Sequence, residues 1–170
     1  MEMTLQTARL ILRRPAPGDW LPFRDFFRSD RAVHFGDLDD GQIWRQFAAE
    51  LGHWEIFGFG MWAVTARGDD TALGLVGPWC PPDWPETEIG WIMFDPATEG
   101  KGIATEAAQS SLRHAYEVLG WTTAVSYIAP GNDRSIRLAE KLGAVRDRDA
   151  RGPKPDTLVY RHPNPAGLAA

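Results

Sequence analysis

Along residues 9–13 polar and apolar positions alternate: Leu10 and Leu12 point one way and the arginines the other, which predicts a first strand. The period then changes. Trp20, Phe23 and Phe27 recur at helical spacing over 19–28, a short amphipathic helix entered through Pro22 in its first turn. Residues 29–40 read as loop, and Ile43, Phe47, Leu51 and Trp54 form one stripe of a second helix over 41–56. Strands over 59–66 and 71–80 follow, joined by the hairpin turn Arg67-Gly68-Asp69-Asp70. In 87–94, Ile89, Trp91 and Met93 share one face of a strand and Glu88, Gly90, Ile92 and Phe94 the other. Asp95-Pro96 ends it, because Pro has no N–H to give to a ladder.

A helix begins at about Ile103, with Ala104, Ala108, Leu112 and Ala115 on one face, and stops at Gly120. A β-branched strand over 121–129, a helix over 133–142 and closing strands over 144–148 and 157–161 complete the order. The tail from about 164 reads as disordered. Without repeats or an interdomain linker, residues 1–163 form one domain. The expected architecture is α/β: three layers, α/β/α, around a mixed central sheet of about seven strands.

Composition narrows the partners. At 170 residues and 44% apolar content the chain has room for a full core. Its net charge of −5, from 23 acidic against 18 basic residues, shows no basic stripe for nucleic acid. No apolar run approaches membrane length, and MEMTLQTARL lacks the apolar core of a secretion signal, so a cytoplasmic protein is expected. Cys80 is the single cysteine, and the four histidines show no metal spacing, so no metal is expected. Cys80 reads as a buried strand residue.

The chemistry concentrates after the fifth strand. Gly100-Lys101-Gly102 can turn backbone N–H groups toward one point without Cβ obstruction, and a helix N-terminus follows. Strand, glycine turn and helix start together suit an anion, most often a phosphate. A Walker A loop fails on spacing, since Asp95 stands at the first Gly and Gly102 follows the Lys. The dinucleotide fingerprint fails at Thr105.

What remains, Glu99-Gly100-Lys101-Gly102-Ile103-Ala104, resembles the pyrophosphate loop [QR]-x-x-G-x-[GA] of the GNAT superfamily of N-acetyltransferases. Glu99 departs from the usual Arg or Gln. The opening LQTARLILRRPAPGDW and the run from Asn132 to Ala144 are similar to the RimJ/RimL branch, whose motif is N-x-x-S-x-x-x-x-E-K-L-G-[FA]. The resemblance implies direct transfer of an acetyl group from acetyl-CoA to a primary amine in a ternary complex. It places the cofactor along Ile92, Met93 and Phe94, with the pyrophosphate on N–H groups of Lys101 to Thr105. Asn132 would meet the pantetheine arm or cap its helix, and Arg137 would meet the 3′-phosphate.

By the same resemblance Glu88 stands where many members carry the base, and a carboxylate in an aromatic cleft has its pKa raised by desolvation; Glu86 is the alternative. The tyrosine that serves many members as acid is replaced here by Ala139. Ser135 is the substitute beside the sulfur, with Tyr127 and Tyr160 behind it. Phe35, Trp62, Trp79 and Trp84 are the candidates for the acceptor cleft. They suit a cationic or amphipathic amine, a protein N-terminus or a small amine among them. Homodimers are common in the resembled branch. The alternative function is a catalytically degenerate acyl-CoA-binding sensor or interaction module.

Overall fold

The computed structural model describes residues 3–165. Their strands and α-helices are β1 (Leu5–Gln6), β2 (Leu10–Arg13), α1 (Trp20–Phe27), α2 (Asp40–Phe57), β3 (Trp62–Ala66), β4 (Gly74–Trp79), β5 (Glu88–Met93), α3 (Ile103–Glu117), β6 (Val125–Ile128), α4 (Asp133–Lys141), β7 (Val145–Arg146) and β8 (Leu158–Arg161). The strands make one mixed sheet in the order β1-β2-β3-β4-β5-β6-β8-β7. It has eight strands where about seven were expected. The extra one is β1, a two-residue edge that pairs Leu5 with Leu12 and Gln6 with Ile11.

Alternation along the strands sorts the core into two sides. Met61, Ala63, Leu75, Ile92 and Phe94 face α1 and α2, where Phe23, Phe26, Phe27, Ile43 and Phe47 close one cluster. Trp62, Val64, Val76 and Trp91 face the other way, against Ala107 and Ala108 of α3. On that same side α4 packs through Ile136 and Ala139 near Trp91 and Tyr160. These are the three expected layers. Burying such side chains is worth about 1.5–3 kcal/mol each.

Several boundaries are tighter than the sequence suggested, for local reasons. The strand expected over 121–129 is paired only from Val125, because side chains take the preceding carbonyls: Thr87 Oγ1 donates to Thr123 C=O (2.8 Å) and Asn164 Nδ2 to Thr122 C=O (2.8 Å). The expected loop 29–40 contains a 3-10 turn, Asp30–Phe35, capped by Ser29 Oγ accepting from Arg31 N–H. Of the tail expected from 164, residues 166–170 lie outside the described residues, whereas Asn164 is tied to Thr122. No helix among the described residues is long and apolar enough to cross a membrane.

One pairing differs from the rest. All neighbouring strands are antiparallel except β5 and β6, which run parallel and meet at a single register position, Glu88 opposite Val125. Beyond it the two strands part, and the sheet opens in its middle.

Candidate functional site

Main-chain alternation determines which atoms line that opening. Phe94 N–H donates to Leu73 C=O (2.8 Å) on the β4 side. On the β6 side, Thr87 C=O accepts from Val125 N–H (3.0 Å) and Ile89 C=O from Ser126 Oγ (2.7 Å). Since N–H and C=O directions alternate residue by residue, Trp91 and Met93 turn their main-chain groups into the opening, and Ile92 turns its own toward Leu75. Of the three residues along which the resemblance places the cofactor, only Met93 therefore turns its main chain into the opening: Ile92 lines the cavity with its side chain, and Phe94 is a core residue whose N–H serves Leu73 and whose C=O takes Arg31 Nη1.

Two cavities of about 620 Å³ each meet at the opening, sharing His34, Phe35, Trp91, Ile92, Asn132 and Ser135. The first runs past Met93 to the start of α3, and Glu99, Gly100 and residues 102–105 line it. Gly100 and Gly102 adopt φ of 72° and 74°, a conformation that costs an L side chain about 1 kcal/mol or more. Gly102 is the N-cap of α3 and gives no side-chain cap, so the N–H groups of the first turn, on residues that line the cavity, have no intrahelical partner. Arg9 braces the loop, donating from Nη1 to Lys101 C=O (3.0 Å) and from Nε to Glu106 (2.7 Å). Lys101 itself is exposed, and its N–H donates to Thr98 C=O (3.3 Å).

Four cationic side chains, Arg31, Arg134, Arg137 and Lys141, line this cavity against three acidic ones, Asp30, Glu99 and Asp133. Glu99 does not stand bare. It pairs with Arg31 Nη2 (2.9 Å) and with Arg134 Nη1, which offsets its charge. Arg31 also lies over the Phe26 ring, 5.6 Å from its centroid. No sequence motif marks Arg31 or Arg134; only the 3-10 turn and α4 bring them across from each other.

The second cavity lies on the α2 side of the sheet. Trp79 sits opposite Glu88 in the ladder, and Phe35, Trp79 and Trp84 wall the space around that carboxylate. Trp62 is not part of it. One residue out of phase with Met61, it points to the far side of the sheet, fully buried against Trp54 and His114. Glu88 accepts from Trp84 Nε1–H and from Tyr127 N–H (3.4 Å). Burial nevertheless raises its pKa to about 7, with both hydrogen bonds pulling the other way. Glu86 is held elsewhere, in a bidentate pair with Arg161 (2.9 and 3.0 Å).

A second carboxylate shares this cavity. Glu50 of α2 is 2% exposed, and desolvation, followed by the charge of Glu88, raises its pKa to about 8. Sequence reasoning missed it. The signal was present: Ile43, Phe47 and Trp54 are the buried stripe, and Glu50 occupies the stripe position between Phe47 and Trp54.

At the junction, Asn132 Oδ1 caps α4 by accepting from Ser135 N–H (3.2 Å). Ser135 Oγ accepts from Trp91 Nε1–H (3.0 Å), which leaves its own proton to give. Arg137 follows on the same helix and lines the first cavity. Tyr127 Oη accepts from Glu86 N–H (3.0 Å), and burial pushes its pKa up to about 12. Tyr160 packs in the core with Ile128 and Ala139. Cys80 is half-buried just past β4, and burial raises its thiol pKa.

Residues 9–145 match the family model described as acetyltransferase (GNAT) domain. The fold is similar to the crystal structure of an acetyltransferase from Agrobacterium tumefaciens strain C58, with a TM-score of 0.90 and 36% identity over 95% of each chain. A GNAT-family acetyltransferase structure from Bordetella pertussis gives a TM-score of 0.77 at 27% identity, over 95% of this chain and 99% of that one. Among curated proteins, 60 residues are 35% identical to the uncharacterized N-acetyltransferase YnaD of Bacillus subtilis (strain 168). That match spans about a third of each chain, 35% of this one and 35% of YnaD.

Proposed function

The chain belongs to the GNAT acetyltransferase family, and from that premise we propose that it transfers an acetyl group from acetyl-CoA directly to a primary amine. The observation that carries this reading is a buried carboxylate, Glu88, whose pKa lies near neutrality in an aromatic cavity that opens onto a cationic, glycine-turned channel. The similarity of the opening strand and of the Asn132–Ser135 helix supports a place in the RimJ/RimL branch.

The residues fit acetyl-CoA as cosubstrate, which supplies the thioester. The first turn of α3 and Arg31, Arg134 and Arg137 would hold its phosphates. In the opening, the main chain of Trp91 and Met93 would hold the pantetheine amides, and a main-chain N–H there would polarise the thioester carbonyl. Glu88 takes the proton of the attacking amine; a C–N bond forms, the C–S bond breaks, and the Ser135 hydroxyl donates a hydrogen bond to the departing sulfur. Phe35, Trp79 and Trp84 exclude water around the amine.

A thermal-shift titration with acetyl-CoA, CoA and ATP, followed by CoA release against an amine panel, tests this. Either CoA species at about 100 times Kd is expected to add roughly 2.7 kcal/mol to the folded state, and ATP much less. Binding without CoA release against any amine would favour a sensor. No shift at all would remove the cosubstrate from the site.

Glu99 gives a second expectation. The Glu99→Gln variant removes one of three negative charges from the channel and frees two guanidinium groups for phosphate. CoA should bind about threefold tighter, roughly 0.7 kcal/mol, with the gain shrinking as salt rises. Calorimetric Kd values at two ionic strengths check both parts. Weaker binding would mean that Glu99 preorganises the arginines instead of competing with the ligand.

A further inference from the structure

We propose that Glu50 is a specificity-determining residue that seats a second cationic group of the acceptor, so that the cavity takes diamines in preference to monoamines. This substrate class rests on the amine-acetyltransfer reading above and belongs to that same site.

Glu50 Oε2 is buried without a hydrogen-bond partner, on a side chain that is 2% exposed and lines the cavity. Buried polar atoms are ordinarily satisfied, and this one belongs to a side chain that lines the space an acceptor would fill. Among the described residues no Lys or Arg lies within ion-pair distance of either Glu50 or Glu88. The other titratable groups lining the cavity are His34 from the 3-10 turn, Tyr127 from β6, and Lys154 and Asp156 from the exposed segment before β8.

Two carboxyls in one desolvated cavity ionise together only at a cost that a counter-charge offsets. A monoamine supplies one positive charge, and its proton passes to Glu88 as the reaction proceeds. Glu50 is then left as a neutral acid with an unused oxygen. A second ammonium lets Glu50 ionise and accept a charge-assisted hydrogen bond, while the Trp79 and Trp84 faces add cation–π attraction. Helix α2 carries the carboxyl on the same side of the sheet as Glu88.

Putrescine and n-butylamine have the same carbon chain and differ by one amine, which makes them the probes. Binding of each to the acetyl-CoA analogue complex and to the free protein is measured by calorimetry in two buffers, together with CoA release. Wild type is expected to bind putrescine at least about tenfold more tightly than n-butylamine, with a proton released to buffer as Glu50 ionises. In the Glu50→Gln variant that ratio should collapse toward one and the proton release with putrescine should fall to that seen with n-butylamine. Equal affinities in wild type, binding of neither amine, or an undiminished ratio in a folded Glu50→Gln protein would overturn the proposal. Wild type alone decides if the variant fails to fold. The acetyl-transfer reading is judged separately, by whether any acceptor in the panel releases CoA.

Discussion

The Glu88→Gln variant is expected to lose about 10²–10³-fold in kcat while binding CoA as wild type does. Gln has nearly the same shape and its one oxygen can still accept from Trp84 Nε1–H, giving up only the longer bond from Tyr127 N–H (3.4 Å), so the cavity should keep its walls. What disappears is the proton acceptor. The carboxyl works only when ionised, and burial holds its pKa at about 7. Wild-type activity should therefore rise with pH through about 7 and level off, read with an acceptor whose amine titrates well away from that range. The variant should show no such limb. CoA affinity should be unchanged within about twofold, because Glu88 lines only the acceptor cavity. An unchanged kcat at saturating amine would remove Glu88 from the mechanism. A parallel loss of CoA affinity would point instead to a collapsed opening between β5 and β6.

How much of this was readable in the chain depends on what kind of signal each residue carries. Glycines at 100 and 102, followed by an Ala-rich helix, announce their backbone geometry directly, and the loop sits where that predicts. Glu88 was singled out by the family resemblance, and period 2 along β5 supplied only its face, shared with Ile92 and Phe94. The same rule applied to β3 separates Trp62 from Met61, but the sequence alone does not tell which face meets the acceptor. Only the packing of α2 does that. Main-chain direction was the harder case. Whether the N–H of Ile92 or of Met93 faces the opening depends on which neighbour takes Phe94 and Ile89, and that is a property of the pairing, not of composition. Arg31, Arg134 and Glu50 are long-range placements. Glu50 alone left a trace, a charge inside an apolar stripe.

That charge makes the second large expectation, which concerns stability. Glu50 and Glu88 have folded pKa values of about 8 and about 7 against an ordinary value of 4.5, both raised by burial. The folded protein thus holds protons that the unfolded chain has released, and stability falls as pH rises. The contribution of the neutral carboxyls is complete below about 4.5 and is lost as pH climbs through 7 and 8. The buried histidines act in the opposite sense. Burial lowers His162 to about 4 and depresses His53 and His114, so their contribution is present above the ordinary histidine value and is lost on acidification. Between about pH 6.5 and 9 the carboxyls therefore dominate. At about 1.4 kcal/mol per unit of pKa, wild type should lose a few kcal/mol over that interval. For a domain this size the fall in Tm is about 5–10 °C. The Glu50→Gln variant keeps a neutral side chain at every pH and should recover most of the loss, although its Tm at about pH 6.5 stays close to that of wild type. A bound diamine should flatten the wild-type curve in the same way, by giving the ionised pair its missing counter-charge. A wild-type Tm that holds steady from about pH 6.5 to 9 would mean that water reaches both carboxyls. The high pKa assigned to the base would then fall with it.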